Sequence, residues 1–299
     1  MSFVYKFSFR WGFFGTGSRQ FHSPRDVALD SSGNVYVADT LNHRIQKFRK
    51  DSTFIHAWGT QGTELGQFLH PTGVAVDLSR NVYVVDTGNN RIQKFKSDGT
   101  FIRTWGEFGG AEGQLNNPIG IAVDSSANVY VADCNNDRIQ KFTNEGSFIR
   151  TWGSSGSGEG QFHEPIDVAV TSNLNVYVLD WQNHRIQKFT HEGVFIKMWG
   201  SMGTGNGQFD FNAEGGIAVD SSSNVFVSDA RNNRIQKFTN EGAFVTKWGS
   251  EGMGDGQLRS PNGLAIKSAN VSFLEERVFV AERLAHRIHV FRPELISDT

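Results

Sequence analysis

The chain has one cysteine, Cys134, in 299 residues. An intramolecular disulfide, a thiolate zinc cluster and a CxxC redox pair are therefore excluded, and packing has to hold the fold. Charge of one sign is also lacking: 29 Lys and Arg face 31 Asp and Glu, a formal net charge of −2. That balance removes the global argument for a nucleic-acid binder. Apolar runs are only a few residues long, and the N-terminus runs into a strand-like FVYKFSFRWG rather than a basic and then apolar leader. The expectation is a cytoplasmic chain with no signal peptide and no membrane span. Proline is sparse at 6 residues, whereas glycine reaches 33, Phe 25 and Trp 7. Glycine turns between short aromatic-rich segments predict an all-β chain.

Self-similarity decides the architecture. Trp11, Trp58, Trp105, Trp152, Trp199 and Trp248 are spaced 47, 47, 47, 47 and 49 apart. The string RIQKF begins at Arg44, Arg91, Arg138, Arg185 and Arg234, with RIHVF at Arg287 as the sixth copy. Periods of this size mean propellers, solenoids or arrays. Within residues 71–106 four strand-length patterns follow one another, PTGVAVD, NVYVVD, RIQKFK and TFIRTWG, separated by turn-forming LSR, TGNN and SDG. Each unit is thus expected to be an antiparallel four-stranded sheet. Residues 3–12 supply only a fourth strand, while the C-terminus stops after a third. The N-terminal strand should complete the last unit and close a ring, which leaves no exposed array ends.

The pattern N-[HN]-R-I-Q-K-F after V-Y-V-x-D, with W-G and G-Q-[FL] before P-x-G-[IV]-A-V-D, resembles the NHL repeat over almost the whole chain. The resemblance implies a six-bladed β-propeller, here one domain over residues 1–299. It does not imply one function, because this architecture hosts many. In tripartite-motif ubiquitin ligases an NHL domain selects the substrate while a separate RING domain supplies the ligase function; this chain has no RING and would resemble at most the recognition half.

Residues present in every repeat are expected to be scaffold. Asp39 with Arg44 recurs as Asp86/Arg91, Asp133/Arg138, Asp180/Arg185 and Asp229/Arg234, and as Glu282/Arg287 in the last repeat. These pairs should bridge turns or blades, and the Trp and Phe columns should pack between blades. Lys47, Lys94, Arg103 and Arg150 are expected to be solvated protection of sheet edges.

Departures from the repeat carry the functional candidates. The loop entering a blade and the loop between its second and third strands share one face. That face holds basic Arg19, Arg25, Arg231, Arg259 and Arg283 against twelve acidic residues, a balance of −7. RNA binding, which needs phosphates neutralised there, is disfavoured. The residue after the inner-strand proline should line the channel mouth, and the column reads Arg25, Thr72, Ile119, Ile166, Gly215 and Asn262. Peptidyl-amidating lyases, which resemble NHL propellers, place zinc-binding histidines in this column; none is present, so that activity is not carried over.

One residue further, Asp26 and Asp167 replace the family glycine in the first and fourth repeats, each within H-x-P-x-D, as in FHSPRDVAL and FHEPIDVAV. The two carboxylates suggest a site for a cation or amine, with Asn262 as a neutral oxygen ligand and His22 or His163 as a base. Against this, four residues of extended chain span roughly 13 Å, so one blade's His and Asp would not chelate the same ion. Trp181 stands where other repeats have Thr40, Thr87, Cys134, Ala230 and Arg283, and suits a protein-binding hot spot. Inserts occur at 210–216 (DFNAEGG) and 268–277, the second including the sequon Asn270-Val271-Ser272, read as coincidental.

No HExxH, GxSxG or P-loop string is present, and the glycine-rich stretches lead into strands rather than helix N-termini. The expected function is a non-catalytic, monomeric scaffold binding a protein or peptide through Arg25, Asp26, Asp167, Trp181, Arg231 and Arg283, with no cofactor. The alternatives are a metal-assisted hydrolase or lyase, with a divalent cation at the channel mouth held by Asp26 and Asp167, and an RNA-binding or ligase-recognition module.

Overall fold

The computed structural model describes residues 3–268 and 273–296. The sequon at 270–272 lies outside them. Six four-stranded antiparallel sheets form a ring, five of them with their strands in chain order from the channel outward. Blades 1 to 5 occupy residues 24–58, 71–105, 118–152, 165–199 and 217–248. Blade 6 contributes Pro261–Lys267, Arg277–Glu282 and Arg287–Leu295, and its outer strand is Phe3–Trp11 from the other end of the chain. That closing strand pairs from Phe3↔Leu295 to Trp11↔Ile288, with a register shift between Phe7 and Phe9. The expected closure is therefore how the ring is built.

The second strands, Val35–Asp39 and its equivalents, are buried at every position but the first residue in blades 4 and 6, because both faces of a blade meet a neighbouring blade. The core lies between blades: Tyr36, Ala38 and Ile45 of blade 1 pack on Val74, Val82, Val84 and Phe95 of blade 2, with Phe68 from the loop between them and Trp58 at the edge. A fully buried ring such as Phe95 contributes about 1.5–3 kcal/mol.

Each letter of RIQKF has a distinct task. In blade 1, Arg44 Nε donates to Asp39 Oδ2 at 2.7 Å, while its terminal nitrogens donate to the carbonyls of Thr16, Gly17 and Gln20 at 2.6, 2.8 and 2.9 Å. Gln46 donates to the Gln20 carbonyl at 2.7 Å and accepts Arg19 N–H at 3.1 Å. The conserved spacing thus clamps the entry loop onto its own blade, and Asp39 Oδ1 takes the His22 N–H at 2.7 Å. Ile45 and Phe48 fill the core.

The lysine corrects an expectation. Lys94 is 4% exposed, lies over the Tyr83 ring, and donates to the Asn144 carbonyl of blade 3 at 2.9 Å. Lys47 reaches the Ser97 carbonyl of blade 2 at 2.7 Å, Arg103 the Glu145 carbonyl at 2.9 Å and Arg150 the Glu192 carbonyl at 2.7 Å. The lysines are thus clamps between blades rather than solvated edge charges, whereas Arg103 and Arg150 make their contacts to the next blade from side chains that stay exposed, as expected. The aliphatic stem packs on the aromatic ring while the head satisfies carbonyls of the next blade's outer turn.

Candidate functional site

Inner strands rich in Val and Ala line an apolar channel with a cavity of about 250 Å³. Its upper end is crossed by the side chains of Asp26 and Asp167, which also line a recess of about 20 Å³ above it, room for roughly one water. The post-proline column, Arg25, Thr72, Ile119, Ile166, Gly215 and Asn262, surrounds that recess.

The two carboxyls are held alike. Asp26 accepts the N–H groups of Val27 and, from blade 2, Val74, both at 2.8 Å. Asp167 accepts those of Val168 at 2.9 Å and, from blade 5, Ile217 at 2.8 Å. Burial raises both above the ordinary carboxyl range, Asp167 to about 7, and the charge of Asp167 raises Asp26 further. The neighbouring histidines point elsewhere: the His22 ring lies 5.0 Å from that of Phe14 and 5.8 Å from that of His286, and neither His22 nor His163 lines the recess. Among the described residues no group of three or more His, Cys, Asp or Glu side chains is arranged to hold a metal. Asn262 Oδ1 accepts Gly215 N–H at 3.4 Å.

The mouth has two unlike flanks. On one side Ile119 and Trp181 are half-buried against a cluster that includes Ile166, Cys134 and Phe211. Phe211, from the 210–216 insert, is fully buried and stacked 4.9 Å from Phe209, so the insert folds inward and shortens the inner strand of blade 5 to Ile217–Val219. On the other side stand Arg25 and Arg283. Glu214, also from the insert, is buried, pairs with Arg283 and accepts a hydrogen bond from Ser260 Oγ. Arg231 is exposed and 3.8 Å from Asp210. A 320 Å³ pocket is shared by Arg25 and Arg283, and a second of about 210 Å³ by Arg231, Arg259 and Arg283. Arg25, Asp26 and Asp167 thus line one recess, Arg25 and Arg283 one pocket, and Arg231 and Arg283 another, while Trp181 packs on the cluster that includes Ile166. The pairing of Glu214 with Arg283 was not legible in advance, since the insert has no counterpart in other repeats to align with.

Residues 21–48, 68–95, 115–142 and 162–189 match the NHL-repeat model. The chain contains NHL repeats. The matched segments lie in the first four blades of this NHL propeller; the fifth and sixth carry the inserts. Among curated relatives, B-box type zinc finger protein ncl-1 of Caenorhabditis elegans is 47% identical over 45 residues, 15% of this chain and 5% of that protein. NHL repeat-containing protein 3 of Homo sapiens is 55% identical over 38 residues, 13% of this chain and 11% of that protein. These matches therefore span a small part of either relative. A streptogramin B lyase structure superposes with a TM-score of 0.65 at 14% identity, covering 98% of each chain. A chain from a nidogen/laminin complex gives 0.61 at 17% identity, covering 82% of the NHL propeller and 93% of that chain. At such identities the likeness is one of fold. Among the described residues no helix is long and apolar enough to cross a membrane.

Proposed function

We propose that this NHL propeller is a non-catalytic, monomeric scaffold that recognises a protein or peptide through the face around its channel mouth. The observation that carries this reading is the meeting of unlike groups at one opening: Arg25 lines it together with Ile119 and shares a pocket with Arg283, and Ile119 packs on the same cluster as half-buried Trp181. An aromatic anchor beside guanidinium groups is the composition of an interface hot spot. The 210–216 insert supports it by spending Phe211 and Glu214 on shaping that opening. The test is a peptide library panned on the full chain and re-measured on Trp181→Ala. Enriched peptides should bind the variant at least tenfold more weakly while its Tm stays within a few degrees of wild type. Peptides that bind both equally would overturn the reading.

A second reading, a metal-assisted hydrolase or lyase with a divalent cation between Asp26 and Asp167, is supported by the two carboxyls lining one recess. Its test is the cation dependence of Tm set out in the Discussion.

A further inference from the structure

Arg25 is the one candidate whose charge the protein leaves open. It is half-buried, and among the described residues its guanidinium has neither an ion-pair nor a hydrogen-bond partner. Burial and the like charge of Arg283 lower its pKa, so the surroundings disfavour the bare cation. Glu214 offsets this in part, but its carboxylate is paired with Arg283 and Ser260. Beside Arg25, in the adjacent blade, Asn262 Nδ2 is buried without a hydrogen-bond partner and lines the same recess, and Arg283 Nε is likewise unpartnered. The 320 Å³ pocket is lined by Arg25, Arg283, His70, Asn117, Leu41 and small or hydroxyl side chains, with no Asp or Glu. The hydroxyls of Thr72 and Thr87 point to the carbonyls of Ile119 and Pro118, at 2.9 and 2.8 Å. Unpaired donors buried at a solvent-reachable opening are costly unless a ligand supplies acceptors.

We propose that Arg25, on the wall of the 320 Å³ pocket that it shares with Arg283, forms a carboxylate-binding site at the channel mouth, which takes a Glu or Asp side chain or a C-terminal carboxylate of the bound peptide. The inference rests on the channel-face reading above and names the group that face selects. A planar carboxylate matches the fork of a guanidinium. A polyanion is disfavoured, because blades 2 to 4 add seven acidic residues to this face, from Glu64 to Asp167, and no Lys or Arg. Apolar groups next to the carboxylate would meet Leu41 in the pocket and the Ile119–Trp181 flank across the mouth.

The experiment is an NMR titration of the full chain, observing the backbone N–H groups of residues 25, 72 and 283 in wild type and variants alike, with sodium glutarate, glutaramide and inorganic phosphate at matched ionic strength. Two capped tripeptides separate the sources: acetyl-Gly-Gly-Glu-amide offers only a side-chain carboxylate and acetyl-Gly-Gly-Ala only a terminal one. Glutarate and at least one tripeptide should give saturable shifts, with affinity at least tenfold weaker in Arg25→Gln and partly kept in Arg25→Lys. Equal binding of glutaramide, tighter binding of phosphate, or an Arg25→Gln variant that binds glutarate like wild type would each overturn the proposal. If panned peptides need Trp181 yet ignore Arg25, this inference falls and the scaffold reading stands. If glutarate needs Arg25 while panned peptides ignore Trp181, the carboxylate pocket stands and the scaffold reading falls.

Discussion

Two adjacent layers of the channel, one residue apart in sequence, obey different rules. The constriction layer reads Asp26, Gly73, Gly120, Asp167, Gly216, Gly263 and repeats after three blades. The mouth layer just above it reads Arg25, Thr72, Ile119, Ile166, Gly215, Asn262 and repeats nowhere. Packing accounts for the first pattern. A Cβ at Gly120 would stand 2.5 Å from Asp167 Cα, and one at Gly263 2.6 Å from Asp26 Cα, so those junctions close only on glycine. In the aspartate blades the inner strand pairs nearer its proline, at Asp26↔Ala38 and Asp167↔Leu179, whereas glycine blades resume at Val74, Ile121 and Leu264. Each carboxyl then takes an N–H from the following blade, and so acts as a strut across a junction. Nothing comparable ties Arg25 down. Order that repeats answers to ring geometry, and order that does not is where a ligand can be read.

The largest expected effect breaks the constriction. Gly263→Ala drives a methyl group into backbone as well as into the Asp26 carboxyl, and neither can swing away as a surface side chain would. Overpacking of this kind costs about 3 kcal/mol. Urea unfolding of Gly263→Ala and Gly120→Ala should show comparable losses, since the layer is two-fold in pattern. A loss at one site only would mean that the two halves of the ring are not mechanically equivalent.

A smaller effect separates the strut role from ion binding. Both carboxyls titrate above their unfolded value, Asp167 at about 7 and Asp26 further raised by it. A raised folded-state pKa stabilises the fold fully below about pH 4, and that contribution is lost as pH rises through the folded-state value. Wild-type Tm should therefore fall between pH 4 and 8 relative to Asp26→Gly/Asp167→Gly, which carries the residue found in the other four blades. Differential scanning calorimetry across that range checks the slope. Addition of Ca²⁺, Mg²⁺, Mn²⁺ or Zn²⁺ at pH 8 distinguishes the cation reading, which requires a rise in Tm for wild type and none for the double variant.

The ring was legible in the sequence because a 47-residue period, four strand patterns per period and complementary termini leave little freedom. The mouth column was legible for the same reason: a fixed offset from a proline holds in five blades, and in the fifth Glu214 stands in the proline's place. What escaped was contact between blades. Lys94 sits in a column that reads as an outer, polar position, and only the stacking of blade 3 against blade 2 turns it inward onto Tyr83. Glu214 was one acidic residue among twelve until the insert folded it onto Arg283. Sequence reports which residues depart from the repeat; it does not report which of them find partners inside the protein.

The smallest expected effect is the most discriminating for the mouth layer. Arg25→Gln deletes a charge that is half-buried and unpaired among the described residues, next to the like charge of Arg283. A side chain selected for packing would cost stability when removed, as the constriction glycines should. A side chain held in place for a ligand should cost nothing, because its desolvation is uncompensated in the free protein. The change in unfolding free energy is expected to be within about 0.5 kcal/mol of zero or slightly stabilising. A loss above about 2 kcal/mol, of the size that follows removal of a partner from a buried hydrogen-bonded charge, would place Arg25 in the scaffold with Arg44 and its repeats. The two layers would then differ only in sequence, and the contrast drawn between them would fail.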